Sequence, residues 1–529
     1  MFPGFKAVSL GIALYTSGSA AALQTVKTTS GQLQGRLASG TTGVVEYLGI
    51  PYAQPPVGRL RWAPPEPFSG SGVIDATEFG YTCPANATFA PNSELTARSK
   101  EFSLTEQAPM ILENLLEQEE LEYSEDCLTL NVWTRPTTSD TKKAVLFWIY
   151  GGGFKTGSTN VTGYNGKYIA DLEDVVIVSA NYRLNIFGFP GNPNIRNNLG
   201  LLDQRLAVEW VRDNIEAFGG DPNRITLFGQ SAGGESVDFY SFAWTSDPIV
   251  AGFIAESGTV LSPSAQEDAS TAAKAWYNVT ATLGCGDESS EPDALLSCMR
   301  LKDWETVQNA IPITSGISGV TGSFVPTIDN IVIFDDYAAR LEAGNFIYRP
   351  LFLGNNNNEI GLFRPIFESE NLTLSDAQWD YLNWVLYTCP ASYRASGAVS
   401  SNVPTWRYRY FGEFPNLRLT INPDSGAWHG SEVLLIFNTD MGVQNIVDRT
   451  PEEGQIAEYL RKAWVSFAND PENGLTKYGF PRYNPLESTL LRLAYNNETG
   501  PQPTYPATYD TGCVIGTTLA EILITLESL

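Results

Sequence analysis

The sequence predicts an α/β fold in which a large, mainly parallel sheet is flanked by helices. Three short apolar runs have the composition of buried strands, at residues 144–150, 175–180 and 224–229. The segment 199–218 lies between the last two runs and is stopped by two glycines. Its large apolar residues recur at roughly helical intervals: Leu202, Leu206, Trp210 and Ile215. The resulting strand–helix–strand order is typical of a parallel sheet.

Two further segments complete the predicted organisation. A strand is expected to end at Leu353, just before Gly354 and a run of four asparagines, and residues 99–126 form an acidic, helix-prone stretch. No internal repeat or low-complexity linker separates these elements. We therefore expect residues 23–529 to form one domain with large loop and helical insertions.

The bulk composition is that of a globular protein. The chain has 529 residues, of which 43% are hydrophobic and 17% charged, and this excludes a disordered chain. Its formal net charge of −26 would repel nucleic acid and anionic membrane surfaces, so neither is an expected partner.

The N-terminus has the features of a secretory signal peptide over residues 1–22. Lys6 precedes an apolar run at 7–15, and small residues follow at 17–22. Six cysteines, an even number, fit an exported chain. Residues 514–529 read as an amphipathic helix, so no integral membrane segment is expected in the mature chain. Five N-x-S/T sequons are candidate glycosylation sites: Asn86, Asn160, Asn278, Asn371 and Asn497.

The sharpest motif is a G-x-S-x-G sequence centred on Ser231. It follows the predicted strand ending at Phe228 and precedes the helix-like run 235–244, which is the setting of a nucleophile elbow. The flanking glycines, Gly229 and Gly233, leave room for the sharp turn. The motif predicts Ser231 as a nucleophile and the N–H of Ala232 as an oxyanion donor.

The candidate for the general base follows from the number of histidines in the chain. The chain contains one histidine, His429, and it lies after the elbow, where such a base is expected. A single histidine also excludes a His-cluster zinc site within the chain, and no metal or organic cofactor is required.

A second glycine-rich run, Gly151-Gly152-Gly153, directly follows the strand at 144–150. Bare backbone N–H groups can approach a substrate oxygen closely, so Gly152 and Gly153 are the other candidate oxyanion donors. A phosphate-binding loop would need a following Gly-Lys-Ser/Thr, which is absent.

Together these residues resemble the type-B carboxylesterases and lipases, which include cholinesterases and fungal lipases. The resemblance covers nearly the whole chain after the leader and implies the α/β-hydrolase fold. It is carried by these segments: YLGIPYAQPPVGRLRWAPP at 47–65, SEDCLTLNVW at 124–133, YGGGF at 150–154, NNLGLLDQRLAVEWVRDNIEAFGGDPNRITLFGQSAGGES at 197–236, and ESG at 256–258.

The family resemblance supplies a candidate acid that the residues alone leave open. Glu359 matches the acid of the family, with one residue between it and Gly361. The sequence by itself leaves three alternatives: Asp329, Asp335 and Glu432. An acid at this place would orient the imidazole and stabilise its charged form. Ser257 matches a serine that hydrogen-bonds within the same network.

The resemblance also implies three disulfides: Cys83–Cys127, Cys285–Cys298 and Cys389–Cys513. The first would close a loop over the acidic segment, which is a lid in related lipases. We expect its apolar stripe to pack inward rather than form a lid surface; the stripe consists of Met110, Ile111, Leu115 and Leu116. No tryptophan lies between Trp62 and Trp133, which argues against a choline-binding site.

The sequence thus predicts a secreted serine esterase acting on a small-molecule or lipid ester through a Ser231–His429–Glu359 triad and an acyl-enzyme. A lipase for long acyl chains and a biosynthetic acyltransferase use the same triad and are the nearest alternatives. A non-catalytic binding protein on the same fold is the remaining alternative, and the intact triad argues against it.

Overall fold

The computed structural model describes residues 24–85, 100–116, 121–136, 141–312, 323–440 and 446–513. The predicted leader at 1–22, the predicted terminal helix at 514–529 and the sequon at Asn86 lie outside the described residues.

The described strands form a single sheet of thirteen strands, with the order β1-β2-β3-β5-β7-β6-β8-β9-β10-β11-β12-β13 and with β4 paired to β2. The block from β7 through β6 and β8 to β12 is parallel, and antiparallel pairs flank it at both edges. The strands are β1 Gln24–Thr28, β2 Gly31–Leu37, β3 Val45–Pro51, β4 Val73–Asp75, β5 Thr129–Thr134, β6 Lys143–Ile149, β7 Val176–Ala180, β8 Gly220–Gln230, β9 Gly252–Glu256, β10 Leu351–Asn356, β11 Thr405–Tyr410, β12 Leu490–Leu493 and β13 Pro503–Thr504.

Helices accompany the sheet along the described chain. They are α1 Ala108–Leu116, α2 Lys167–Leu172, α3 Asn185–Gly188, α4 Leu199–Asn214, α5 Ala232–Ala243, α6 Ala269–Thr282, α7 Pro292–Arg300, α8 Trp304–Asn309, α9 Tyr337–Glu342, α10 Ile360–Ser369, α11 Asp376–Asn383, α12 Cys389–Ser400, α13 Ser431–Phe437, α14 Pro451–Asn469, α15 Gly474–Tyr478 and α16 Ala507–Asp510. No helix within the described ranges is long and apolar enough to cross a bilayer.

The central strands form because their apolar runs are buried on both faces. Every residue of β6 and β7 is buried, as expected for parallel strands covered by helices. The predicted helix at 199–218 is observed as α4 followed by a 3-10 turn at Ile215–Phe218, which ends at Gly219 in a left-handed conformation with φ of 84°. The longest helix, α14, begins with Thr450 and Glu453 bonded reciprocally to each other's backbone N–H, and Pro451 is its first residue.

Two predicted strand boundaries are wrong, and the first is the start of β8, which lies at Gly220 instead of residue 224. The strand expected to end at Leu353 continues as β10 to Asn356. Its polar end is buried because Asn356 donates its side-chain amide to the carbonyl oxygen of Trp428 at 2.7 Å. Hydrogen bonding therefore replaces the apolar side chains that a hydropathy pattern requires of a buried strand.

The structure joins the cysteines in the three pairs that the resemblance implies. Cys83–Cys127, Cys285–Cys298 and Cys389–Cys513 enclose sequence separations of 44, 13 and 124 residues. The long third bridge ties the end of the described chain to the first turn of α12. A cross-link of this span restricts the unfolded chain most.

Candidate active site

The candidate site lies at the carboxyl ends of the parallel strands. Ser231 directly follows β8, Ser257 directly follows β9, and Glu359 lies three residues beyond β10. The glycine run at 151–153 begins two residues after β6. Parallel strands bring their carboxyl ends to one edge of the sheet, which is where open α/β sheets bind ligands.

Ser231 occupies a strained turn between β8 and α5. Its φ of 59° and ψ of −127° lie outside the regions that side chains usually adopt. A Cβ on Gly229 would lie 2.6 Å from the backbone of Gly233, and a Cβ on Gly233 would collide with the carbonyl oxygen of Ile149. The two glycines are therefore required by space, and the turn presents the hydroxyl to a cavity.

His429 and Glu359 are in direct contact beside this turn. Nδ1 of His429 lies 2.6 Å from Oε2 of Glu359. The other carboxylate oxygen, Oε1, accepts the backbone N–H of Asn356 at 2.6 Å and the hydroxyl of Ser257 at 2.8 Å. Glu359 is fully buried and His429 is 5% exposed, so the imidazole is fixed on one side and faces the cavity on the other.

None of the alternative acids contacts His429 among the described residues. Asp329 accepts three backbone N–H groups of its own turn, and Asp335 is exposed. Glu432 is buried three residues after the histidine, but it accepts the side-chain amide of Asn356 instead. Burial and the nearby charge of Glu359 raise the pKa of Glu432 to about 8.

The glycine run lines the same cavity as Ser231 and His429. Gly152 has a φ of 112°, and a Cβ there would meet the backbone of Thr156. Within the described chain, no acceptor lies within hydrogen-bond distance of the N–H groups of Gly152, Gly153 and Ala232. These N–H groups are thus free to bind a ligand oxygen.

Two stacked tyrosines hold the base of this loop. The rings of Tyr150 and Tyr182 lie 4.6 Å apart at 19°, and the Tyr182 hydroxyl donates to the carbonyl of Tyr150 at 2.9 Å. Burial raises the pKa of both phenols above the ordinary value, so both stay protonated. The loop is thereby anchored to the end of β7.

Both apolar and polar side chains line the cavity. Its free volume is about 90 Å³. The apolar lining includes Leu115, Leu362, Phe363, Ile366 and Val433. The polar lining includes Glu235, Ser262 and Ser264.

The stripe on α1 packs inward, as expected. Ile111 is fully buried and Leu115 is 6% exposed, while Met110 is half-buried. The side chain of Leu116 lies outside the described residues. Leu115 reaches the candidate site, so this helix forms part of the cavity wall.

Phe363, Tyr387 and Glu235 are among the residues of the site that were not predicted from the sequence. The rings of Phe363 and Tyr387 lie 5.0 and 5.1 Å from the His429 ring, so they hold the imidazole between them. Glu235 lies four positions after Ser231, which is about one helical turn along α5. That spacing was the available signal for Glu235, whereas nothing in the sequence marked Tyr387.

The fold and this site define an α/β-hydrolase. The family model for the Carboxylesterase family matches residues 22–384 and 368–510. The chain belongs to the carboxylesterase family, and the activity of its class is the hydrolysis of carboxylic esters.

Several relatives cover most of the chain. A protein named Secreted lipase 5 from Gibberella zeae is 31% identical over 488 residues, which are 86% of this chain and 87% of that protein. Chlorogenic acid esterase from Aspergillus niger is 32% identical over 85% of this chain and 83% of its own. Acetylcholinesterase from Electrophorus electricus is 37% identical over 69% of this chain and 56% of its own.

Proposed function

We propose that the chain is a secreted serine esterase in which Ser231 is the nucleophile, His429 the general base and Glu359 the orienting acid. The observation that carries the proposal is the position of His429. One ring nitrogen lies 2.6 Å from a buried carboxylate, and the ring lines the cavity that holds Ser231. The same proposal assigns the oxyanion site to the N–H groups of Gly152, Gly153 and Ala232.

The proposed reaction proceeds in two acyl-transfer steps. Nε2 of His429 takes the proton of Ser231 while the hydroxyl oxygen attacks the ester carbonyl, and the three N–H groups stabilise the oxyanion. The same proton passes to the leaving alcohol, and the C–O bond to that alcohol breaks. Water then repeats the sequence on the acyl-enzyme, releasing the acid and restoring the Ser231 hydroxyl.

The second ring nitrogen of His429 supports the role of general base. Its Nε2 is buried and has no hydrogen-bond partner among the described residues. Hydrogen bonds to a catalytic base are often long before substrate binds and tighten in the reacting complex. Tyr387 and Phe363 restrict the ring, so binding of substrate would not have to order it.

Secretion and glycosylation belong to the same proposal. The predicted leader, three disulfides and the name of the Gibberella zeae relative support export. Asn278 and Asn371 are exposed and available to a glycan. Asn160 donates its amide to the carbonyl of Gly80 at 3.0 Å, and Asn497 donates to that of Glu413 at 2.8 Å, so we propose lower occupancy at these two sequons.

Kinetics with a series of p-nitrophenyl esters, from acetate to palmitate, would test the proposal. We expect turnover by the wild type and a loss of roughly 10⁴-fold or more in kcat for Ser231→Ala and His429→Ala, with unchanged circular dichroism. A rate jump above the solubility limit of the long-chain esters would assign a lipase, and transfer to an added alcohol in preference to water would assign an acyltransferase. A folded wild type that hydrolyses none of them would contradict the proposal and favour the binding-protein alternative.

A further inference from the structure

The cavity is lined by one carboxyl group that the proposed mechanism does not use, that of Glu235. Glu235 lies on α5 one turn after the nucleophile, and its backbone N–H donates to the carbonyl of Ser231 at 2.8 Å. Its side chain lines the cavity and is only partly buried. The helix therefore holds this carboxyl close to Ser231.

No partner within the described chain satisfies the Glu235 carboxyl. It makes no side-chain hydrogen bond or ion pair to any described residue, in contrast to Asp238 on the same helix, whose Oδ1 lies 2.7 Å from Nε of Arg394. Removing a polar group from water is costly unless something bonds to it. The free carboxyl is thus available to a ligand.

The charges around Glu235 favour its neutral form. Burial and the negative charge of Asp238 raise its pKa to about 8, and the nearby phenols of Tyr182 and Tyr387 are protonated and uncharged. The buried Lys155 interacts with Glu267. A neutral carboxyl both donates and accepts a hydrogen bond, which suits a hydroxyl better than it suits a cation.

Two serines also line this cavity. The hydroxyls of Ser262 and Ser264 lie 3.1 Å apart, and Ser262 also donates to the carbonyl of Leu386 at 3.3 Å. Leu386 precedes Tyr387, whose ring contacts His429. The Glu235, Ser262 and Ser264 side chains, here called the polar wall, thus line the same cavity as His429.

We propose that the polar wall binds a hydroxyl group of the substrate, and that the preferred esters of this enzyme carry a hydroxyl near the scissile bond. The inference rests on the proposed esterase function and names its substrate class. A site built to bond a hydroxyl rejects the analogue that lacks one, because its own polar groups are then left unpaired. Glu235 supplies the main contact.

Matched ester pairs test this. One pair varies the acyl group, methyl butyrate against methyl 3-hydroxybutyrate, and the other varies the alcohol, propyl butyrate against 3-hydroxypropyl butyrate. We expect a higher kcat/KM for the hydroxylated member in at least one pair. That preference falls by about three- to tenfold in Glu235→Leu, and stays within about twofold in Glu235→Gln, which keeps a donor and an acceptor.

The controls separate this inference from the function on which it rests. Glu458→Leu removes an exposed carboxylate on α14 and should leave the preference unchanged. Hydrolysis of both pairs without any Glu235-dependent preference would overturn the inference and leave the esterase function standing. Failure of the wild type to hydrolyse any ester would overturn both. Circular dichroism of each variant checks folding, and Glu235→Gln still tests the contact if Glu235→Leu does not fold.

Discussion

Two glutamates lie at the same depth beside His429 and have different surroundings. Glu359 and Glu432 are 0% and 1% exposed. Glu359 receives the Asn356 N–H and the Ser257 hydroxyl and contacts His429, whereas Glu432 receives only the Asn356 side-chain amide, and its Oε1 has no partner in the described chain. Hydrogen bonds stabilise a carboxylate, and their scarcity leaves a buried carboxyl protonated.

The comparison shows that burial alone does not make a catalytic acid. Asn356 serves both groups, its backbone bonding one glutamate and its side chain the other. The negative charge of Glu359 further raises the pKa of Glu432. We therefore propose an orienting role for Glu359 and a neutral, structural role for Glu432.

Exchanging each glutamate for glutamine tests the difference between them and should give the largest effect. Glu359→Gln removes the charge that stabilises the imidazolium, so kcat should fall by about a thousandfold or more. Glu432→Gln replaces a neutral carboxyl by an amide of the same shape, so kcat should change by less than about threefold. The measurement is steady-state kinetics on p-nitrophenyl butyrate. Equal losses in the two variants would contradict the assigned roles.

Removing one donor to Glu359 gives a smaller effect. Ser257→Ala deletes the 2.8 Å bond to Oε1 and leaves the remaining contacts in place. We expect kcat to fall by about tenfold or more, since a hydrogen bond to a charged group contributes about 1.5 to 3 kcal/mol and each 1.36 kcal/mol is about a factor of ten in rate. Ser179→Ala is the matched control, because Ser179 is a buried serine on β7 whose hydroxyl bonds to Asn131 and not to Glu359. An unchanged kcat in Ser257→Ala would remove this serine from the network.

The titration of a third carboxyl, that of Glu235, should be visible in the pH dependence of kcat/KM. Its pKa is raised to about 8, so it is neutral below that pH and ionised above it. An anion one turn from Ser231 opposes the developing oxyanion, and we expect kcat/KM to fall by roughly threefold between pH 8 and 9. The pH–rate profile of Glu235→Gln should lack this fall. Because the pKa of Lys155 is lowered to about 8 as well, a fall that persists in the variant would assign the titration elsewhere.

The smallest expected effect is on stability. The pKa of Glu432 is raised from 4.5 to about 8 in the folded protein, so its contribution to stability is complete below about pH 4.5 and is lost as pH rises through 8. The melting temperature of the wild type should fall from pH 5 to pH 8. Glu432→Gln should reduce that fall by roughly 2 °C, as measured by scanning calorimetry. Parallel curves for the two proteins would show that Glu432 titrates normally.

Much of this architecture is readable from the sequence. The strand, turn and helix around Ser231 follow from local apolar runs and glycines, and the single histidine leaves one candidate base. Neither inference depends on how distant segments pack. The α/β class and the helix after β7 are predictable for the same reason.

The remaining features depend on contacts between distant segments. Glu359 precedes His429 by 70 residues, and the residues alone do not distinguish it from Asp329, Asp335 or Glu432. The polar end of β10 is buried through bonds to the histidine loop, and hydropathy cannot signal such bonds. Tyr387 reaches His429 from a separate helical segment for the same reason.

Covalent labelling would show whether Ser231 is the nucleophile. The purified protein would be treated with a fluorophosphonate, digested and mapped by mass spectrometry. We expect one phosphonyl adduct on Ser231, formed much more slowly in His429→Ala and absent in Ser231→Ala. A folded wild type that carries no adduct, or carries it on another residue, would contradict the assignment of Ser231 as the catalytic serine.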